Sequence, residues 1–464
     1  MSLKNTIDWI RTPSRHALWR RIERSSLASR LIRGAFWSLA GTLASRCLGL
    51  AASISAARIL GKVTMGELGI IQSTVGMFSA FAGMGLGLAA TKHIAEYQAK
   101  DRALAGETIG MLSVISWTSG LLMTLVMIGV SPWLARHNLA APQLATPMRI
   151  GSFLLLFGVI NGVQTGVLSG FEAFRSIARV NLIAGLANFP LMLGGAYWWG
   201  LRGAVFALVA SLAINCILNF FAVRREAAKA GVNITFKHLH RHRNLIWTFG
   251  LPGMLSGAIS GPVGWITSMT LVKQPGGYAE MGIFNATGSW FQLVVFLPNL
   301  LAQVLLPILS SYAAKNDGRG LNRALVLATW TNVIVVFPII AIGCALSRFI
   351  MGLYGPGFAE GWPVLALTLV SAGVLTIQGP ITDRLVATSK MWAYFFAHIV
   401  WGIFFIGTAF LWVPAHGGVG LALARLAGYV ANGLWVLGFI WWHLGQSSSK
   451  SIGKAPSVLE PISR

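Results

Sequence analysis

The stretch AVFALVASLAINCILNFFAV, residues 204–223, is followed at once by Arg224-Arg225-Glu226. It carries no charged residue, and about 20 apolar residues in a helix are enough to cross the hydrocarbon core of a bilayer. Similar runs recur along the whole chain, and short polar segments separate them. The pattern predicts an all-α polytopic membrane protein with about twelve transmembrane helices.

Composition agrees with that class, because 55% of the residues are hydrophobic, only 11% are charged and the mean hydropathy is +0.67. A soluble protein of this length needs a more polar surface. The net charge of +23 comes from Lys and Arg in the segments between apolar runs. Such residues orient a membrane protein during insertion, so the charge indicates topology and predicts no nucleic-acid partner.

The distribution of basic residues predicts which side of the membrane each segment faces. If the N-terminus lies in the cytoplasm, the inner segments hold 27 Lys and Arg residues and the outer ends hold seven. Positively charged loops are retained on the cytoplasmic side. We therefore expect both termini and the central linker to be cytoplasmic in a bacterial inner membrane.

The chain also repeats itself. Glu67-Leu68-Gly69-Ile70 opens the second predicted span, and Glu280-Met281-Gly282-Ile283 opens the eighth. The repeat predicts two six-helix bundles in the same orientation around a central cavity, an arrangement known among transporters. The predicted segments are an N-terminal tail (1–33), an N-lobe (34–223), a linker (224–243), a C-lobe (244–443) and a C-terminal tail (444–464).

Polar residues recur at helical spacing in several spans, so each set shares one helix face. A single set of this kind is explained by hydrogen bonds between helices, which stabilise membrane proteins modestly. Five such sets favour a hydrated central cavity. The residues that we predict to line it, besides two arginines, are Ser38, Thr42, Asn161, Gln164, Asn285 and Gln292.

Arg46 and Arg425 are the two arginines that fall within predicted spans. A charge at membrane depth is costly unless it reaches water or a partner, and no acidic residue lies in the middle of a span. Both arginines are therefore candidates for binding an anion in the cavity. The alternative is that each reaches the interface or bonds to backbone carbonyls of a broken helix.

Catalytic and metal-binding patterns are missing from the sequence. Cys47, Cys216 and Cys344 lie singly in apolar spans, where they resemble small packing residues. The short outer loops lack the carboxylate pairs or His/Arg clusters expected of a glycosyl-transfer enzyme. We therefore expect a transporter that has no cofactor and no metal site.

Five local sequences, in order along the chain, resemble the polysaccharide-transport branch of the multidrug/oligosaccharidyl-lipid/polysaccharide flippase superfamily. They are Arg58-Ile59-Leu60-Gly61, Gly83-Met84-Gly85-Leu86-Gly87, Phe249-Gly250-Leu251-Pro252, Leu353-Tyr354-Gly355-Pro356-Gly357-Phe358 and Leu385-Val386-Ala387-Thr388-Ser389-Lys390.

This resemblance implies a V-shaped pair of six-helix bundles. It also implies that the protein flips a polyprenyl-pyrophosphate-linked oligosaccharide from the cytoplasmic to the periplasmic leaflet. The cationic cavity residue that this family carries on its first helix corresponds to Arg46. Lipid-linked oligosaccharide and bilayer are the implied partners, and a polysaccharide polymerase and a chain-length regulator are further candidates.

Three alternatives stay open at this stage. A multidrug exporter for organic cations shares the superfamily, but coupling to protons or sodium there favours a mid-span carboxylate. The flippase for the lipid-linked peptidoglycan precursor is a nearer relative that typically has two extra helices. A membrane glycosyl polymerase or ligase belongs to a different class, and the short outer loops argue against it.

Overall fold

The computed structural model describes the backbone of residues 26–83, 85–236, 251–314, 317–388 and 390–452. Within these ranges the chain is helical and has no strand, which confirms the predicted fold class. Large apolar side chains such as Trp198, Trp199, Leu434 and Trp441 are exposed on the outside of the bundle. A bilayer is the solvent that such a surface requires.

Three long helices are each broken by one glycine in a left-handed conformation. Ser26–Gly83 breaks at Gly61 (φ 74°) into α1 (26–60) and α2 (62–83). Phe174–Lys229 breaks at Gly200 (φ 54°) and Met391–Ile452 at Gly417 (φ 53°). Other residues rarely adopt positive φ, so glycine lets the chain reverse between two spans within one residue.

The break at Gly200 separates α7 (174–199) from α8 (201–229), and the break at Gly417 separates α14 (391–416) from α15 (418–452). The remaining helices are continuous. In chain order the continuous helices are α3 Leu86–Lys100, α4 Arg102–Trp133, α5 Ala145–Gly151, α6 Phe153–Gly170, α9 Leu251–Val272, α10 Gly277–Ala314, α11 Gly318–Ala345, α12 Ser347–Gly352 and α13 Trp362–Ala387. In the described part of the chain, seven helices qualify as membrane spans by length and hydropathy, and the broken ones each hold two spans.

The helices form two lobes, α1–α8 and α9–α15. Within the N-lobe, α1 and α2 pack on α7 and α8, and within the C-lobe α10 packs on α13. The lobes meet where α1 and α2 pack against α9 and α10. We call the end of the bundle that contains Gly61, Gly200 and Gly417 the outer end, as the charge distribution predicts.

The segment between the lobes begins as helix, because α8 continues to Lys229 and so includes residues 224–229 of the predicted linker. Residues 232–236 then lie along α4. A Cβ added at Gly106 would be 1.9 Å from the carbonyl oxygen of Asn233, and one at Gly110 would be 2.0 Å from that of Thr235. The two glycines therefore let the linker backbone contact α4 directly.

The predicted orientation is testable at Ala228, which is exposed near the end of α8. In a protein whose three cysteines are replaced by alanine, Ala228→Cys is expected to react with a membrane-impermeant maleimide only after cells are permeabilised. His137→Cys, exposed at the outer end, serves as the control that reacts in intact cells. Labelling of Ala228→Cys in intact cells at the rate of His137→Cys would contradict the assigned topology.

Candidate functional site

The two lobes are in direct backbone contact at the outer end. A Cβ added at Gly66 on α2 would lie 1.8 Å from the carbonyl oxygen of Tyr278 on α10. One added at Gly282 would lie 1.9 Å from the carbonyl oxygen of Lys62. Such approaches need glycine on both helices, so α2 and α10 cross here with no side chain between them.

Hydrogen bonds between the lobes extend this contact, and we call the whole set the outer seal. Their partners lie on α1 and α2 or the segment after α4 in the N-lobe, and on α9, α10 and the segment after α12 in the C-lobe. They join Tyr278 Oη to the Leu139 carbonyl (2.9 Å), Trp265 Nε1 to Thr74 Oγ1 (3.2 Å), Ser73 to Ser268 (3.2 Å) and Arg58 to the Leu353 carbonyl.

Arg46 lies on α1, inward of the outer seal, where its side chain is exposed. The side of α1 about 100° away is packed in the N-lobe: a Cβ added at Gly185 of α7 would meet Ser45 Oγ at 2.8 Å. The guanidinium carbon of Arg46 instead lies 5.5 Å from the centre of the Phe296 ring on α10 of the C-lobe. Arg46 therefore faces the cleft between the lobes.

Thr42 and Gln292 share this cleft with Arg46. Thr42 precedes Arg46 by one helical turn, so both occupy one face of α1. On α10, Gln292 is exposed and precedes Phe296 by four residues, which places the two side chains about 40° apart around the helix. We define Thr42, Arg46, Gln292 and Phe296 as the cleft site.

Asn285 belongs to the outer seal. Its Nδ2 donates to the carbonyl of Met65 (3.4 Å), and its Cβ would be 3.0 Å from a Cβ added at Gly69. It lies on nearly the same face of α10 as Gln292, seven residues earlier. The structure thus positions Asn285 where the two lobes are in contact, and its role in a central cavity stays a prediction.

Asn161 and Gln164 lie on α6 inside the N-lobe. Asn161 donates to Asn215 (2.9 Å) and accepts from Asn219 (3.1 Å), both on α8. Thr165 donates to the same Asn161 oxygen (3.0 Å). The described contacts of Asn161 are thus hydrogen bonds between helices, and its role in a central cavity stays a prediction. The Oε1 atom of Gln164 is buried.

Arg425 is enclosed within the C-lobe and is only 9% exposed. Its guanidinium carbon lies 4.7 Å from the centre of the Phe284 ring and 5.0 Å from that of Phe291, and it donates to Thr368 Oγ1. Phe291 and Phe296 are five residues apart, about 140° around α10. Arg425 and Arg46 therefore lie on different sides of α10, and the structure does not bring them together.

Ser38 falls on α1, two turns before Arg46, and its side chain is outside the described part of the structure. The structure adds Phe296, Gly66 and Gly282, which were not among the predicted site residues. Phe296 had no signal in the sequence, since it is one of 25 phenylalanines. Gly282 was part of the repeated motif, which indicated that this position matters. The motif did not indicate that Gly282 lies where α2 and α10 cross.

Comparison with known proteins supports the fold and its class. Residues 31–313 match the family described as polysaccharide biosynthesis protein, which is more than half of the chain. The chain is 22% identical over 302 residues to the EPS I polysaccharide export inner membrane protein EpsE of Ralstonia nicotianae, covering 61% of this chain and 64% of EpsE. It is 23% identical over 332 residues to the succinoglycan biosynthesis transport protein ExoT of Rhizobium meliloti, covering 69% and 62%. The chain thus aligns with less than two thirds of each relative.

Solved structures share the architecture at low sequence identity. An inward-facing multidrug resistance MATE family transporter of the MOP superfamily has a TM-score of 0.74, with 17% identity, 90% of this chain and 99% of that chain covered. The lipid II flippase MurJ in an inward closed conformation has a TM-score of 0.67, with 16% identity and coverages of 88% and 87%. The chain belongs to the polysaccharide biosynthesis protein family and has the fold of the MOP-superfamily transporters.

Proposed function

We propose that this protein is a flippase that moves a polyprenyl-pyrophosphate-linked oligosaccharide from the cytoplasmic to the periplasmic leaflet of the inner membrane. The observation that carries the proposal is Arg46, an exposed guanidinium at membrane depth in the cleft between two lobes. Neither of the two ion pairs that the structure describes involves Arg46. The names of the relatives, which refer to polysaccharide export and succinoglycan transport, support the substrate class.

The chemistry of the cleft site fits an anionic, hydrogen-bonding head group. A guanidinium presents a planar fork of donors that matches phosphate oxygens, and desolvation in a membrane protein strengthens the attraction. Thr42 and Gln292 add a hydroxyl and an amide for sugar or phosphate oxygens. The same positive charge repels organic cations, which argues against a multidrug exporter of cations.

Alternating access supplies the transport step. With the outer seal closed, the cleft site receives its substrate from the inner side; separation of the lobes at the outer end then exposes the site to the other leaflet. The polyprenyl chain stays in the bilayer throughout. A polysaccharide polymerase and a chain-length regulator are the proposed partners that use the flipped product.

A proteoliposome assay tests this function. The purified protein is reconstituted with an NBD-labelled polyprenyl-pyrophosphate-linked saccharide, and dithionite reports how much probe moves between leaflets. We expect protein-dependent movement that unlabelled polyprenyl-pyrophosphate saccharide inhibits and that a cationic dye such as ethidium does not. Inhibition by ethidium alone would instead identify a cation exporter, and a change in saccharide length in the recovered lipid would identify an enzyme.

A further inference from the structure

The C-lobe contains a partly open cavity of about 1190 Å³, which is lined by residues other than those of the cleft site. Its walls come from all the membrane-spanning helices of this lobe. One wall, on α10 and α11, is mainly apolar at residues such as Leu305 and Ala328, and it also carries Arg319, Arg323 and Asn332. The facing wall, on α13 to α15, is aromatic and polar, and includes Gln378, Trp401 and Tyr429.

The cavity lies directly behind the cleft site. Phe296, which contacts Arg46, lies on α10 between Val295 and Pro298, and both of these line the cavity. Ser260 and Asn299 also line it and are exposed. α10 therefore lies between Arg46 and the cavity, and the saccharide of a substrate held at Arg46 must pass around this helix to enter the cavity.

Polar atoms without partners are concentrated on this cavity. Asn332, Gln378, Asp383 and Trp401 line it, and each carries a buried atom (Asn332 Oδ1, Gln378 Oε1, Asp383 Oδ2 and Trp401 Nε1) with no hydrogen-bond partner among the residues that the structure describes. Asn332 is 4% exposed and Gln378 is 8% exposed. Buried polar groups are normally paired, because an unpaired one destabilises the fold. The four atoms have almost no accessible surface in this conformation, so each side chain must rotate before its polar atom can pair with a ligand in the cavity.

Three of those four atoms are oxygen acceptors, so the expected ligand is rich in O–H or N–H donors. Trp401 and Tyr429 supply aromatic groups to the lining, and their ring centres are 6.0 Å apart. A sugar ring combines apolar C–H faces, which pack on aromatic rings, with hydroxyls that donate to amide and carboxylate oxygens.

Two other ligands fit less well. Gln378 and Asp383 are five residues apart on α13, about 7.5 Å of helix rise. The oxygen shell of one metal ion is only about 5 Å across, so the acceptors are too widely spaced for a single cation. An isoprenoid chain would use the apolar wall and leave all three oxygens unpaired.

From the cavity, its unpaired acceptors and its aromatic wall, we infer that the C-lobe binds the saccharide of the lipid-linked substrate while Arg46 holds the pyrophosphate. The inference rests on the proposed function and divides the substrate between two sites. The sugar hydroxyls donate to Asn332, Gln378 and Asp383, and the C–H faces of the sugar rings pack on Trp401 and Tyr429.

Binding measured by native mass spectrometry in nanodiscs tests the inference with two probes. One is the undecaprenyl-pyrophosphate-linked saccharide fraction extracted from a strain that lacks this protein, and the other is synthetic undecaprenyl pyrophosphate. We expect the wild type to bind the first probe at least tenfold more tightly. Gln378→Met keeps the side-chain volume and removes the acceptor, so this ratio should fall roughly threefold to tenfold. Binding of the second probe should not change.

Ala328→Trp fills the cavity from the apolar wall and provides a second variant, which should lower the ratio further. Gln143→Met, exposed at the outer end, is the matched control and should leave the ratio unchanged. A wild-type ratio near one, or an unchanged ratio in both cavity variants, would overturn the inference. Equal weakening of both probes by Ala328→Trp would also overturn it, since the cavity would then hold the isoprenoid.

The proposed function is tested independently of the saccharide site by Arg46→Glu. If Arg46→Glu leaves the binding of both probes unchanged, Arg46 does not hold the pyrophosphate, whatever the saccharide ratio shows. If Arg46→Glu weakens both probes and Gln378→Met changes nothing, the proposed function stands and the saccharide site in the C-lobe does not.

Discussion

Replacement of Arg46 by glutamate is expected to abolish surface polysaccharide in a deletion strain complemented with the variant. The substitution places a negative charge in the cleft against the substrate pyrophosphate. Arg46→Gln removes one charge-assisted contact, worth on the order of 1.5–3 kcal/mol. At subsaturating substrate this lowers the flipping rate roughly tenfold to a hundredfold. Arg46→Lys keeps the charge without the bidentate fork and should be intermediate.

The structure predicts that these variants still fold. Arg46 is exposed, and its described contact is with the Phe296 ring, an interaction worth about 0.5–1 kcal/mol at an exposed site. Arg425→Gln provides the contrast, because it leaves a cavity between Phe284 and Phe291 and removes the hydrogen bond from the guanidinium to Thr368. We expect Arg425→Gln to lower the melting temperature of the purified protein and Arg46→Gln to leave it within error.

Arg202→Gln is the matched control, since Arg202 is also an exposed arginine but lies at the outer end beside the Gly200 break. Its polysaccharide should equal that of the wild type after normalisation to the amount of protein in the membrane. Wild-type polysaccharide from Arg46→Glu at matched expression would remove Arg46 from the site and leave the anionic substrate without support.

The sequence predicted the membrane class and the helix count because both depend on local composition. A run such as residues 204–223 crosses a bilayer whatever it packs against. The repeat also had a physical basis: Gly282 of the repeated motif lies where α10 crosses α2. What the repeat did not show is that the contact involves backbone, since that depends on the crossing of two helices 200 residues apart in the chain.

Arg46 and Arg425 show why the site was only partly predictable. Both occur at membrane depth beside polar residues at helical spacing, so their local sequences look alike. Their environments differ through other helices. Arg425 is enclosed by two phenylalanines of α10 and Thr368 of α13, whereas the side of α1 that carries Arg46 has the cleft in front of it.

The C-lobe cavity was missed for the same reason. Gln378 shares a face of α13 with Ser371 and Thr382, but Asn332 and Trp401 lie on two other helices. Their common property, an unpaired polar atom on one cavity, appears only when the helices are assembled. Helical spacing of polar residues did not distinguish these cases, because Asn161 has Thr165 one turn away and yet pairs with Asn215 on α8.

The second large effect is expected at the outer seal. Gly66→Ala places a Cβ 1.8 Å from the Tyr278 carbonyl oxygen, and Gly282→Ala places one 1.9 Å from that of Lys62. Both partners are backbone atoms, so relief requires that α2 and α10 separate. Overpacking of this kind costs about 1–3 kcal/mol, and that cost is borne only by the state with the outer seal closed. The equilibrium should therefore shift toward outer opening by a factor of roughly 5 to 150.

A cysteine inward of the crossing measures the shift. Ser268 is 6% exposed and bonds to Ser73 across the lobes, so Ser268→Cys in the protein without native cysteines should react slowly with a membrane-impermeant maleimide in intact cells. Gly66→Ala and Gly282→Ala should each accelerate the reaction, and together they should be less than additive because they disrupt one crossing.

A Cβ at Gly76 or Gly288, on the same two helices, meets nothing within 4 Å, so alanine there should have no effect. Unchanged labelling in Gly66→Ala with normal polysaccharide would mean that the lobes do not separate along this crossing, and the proposed alternating access would need a different hinge.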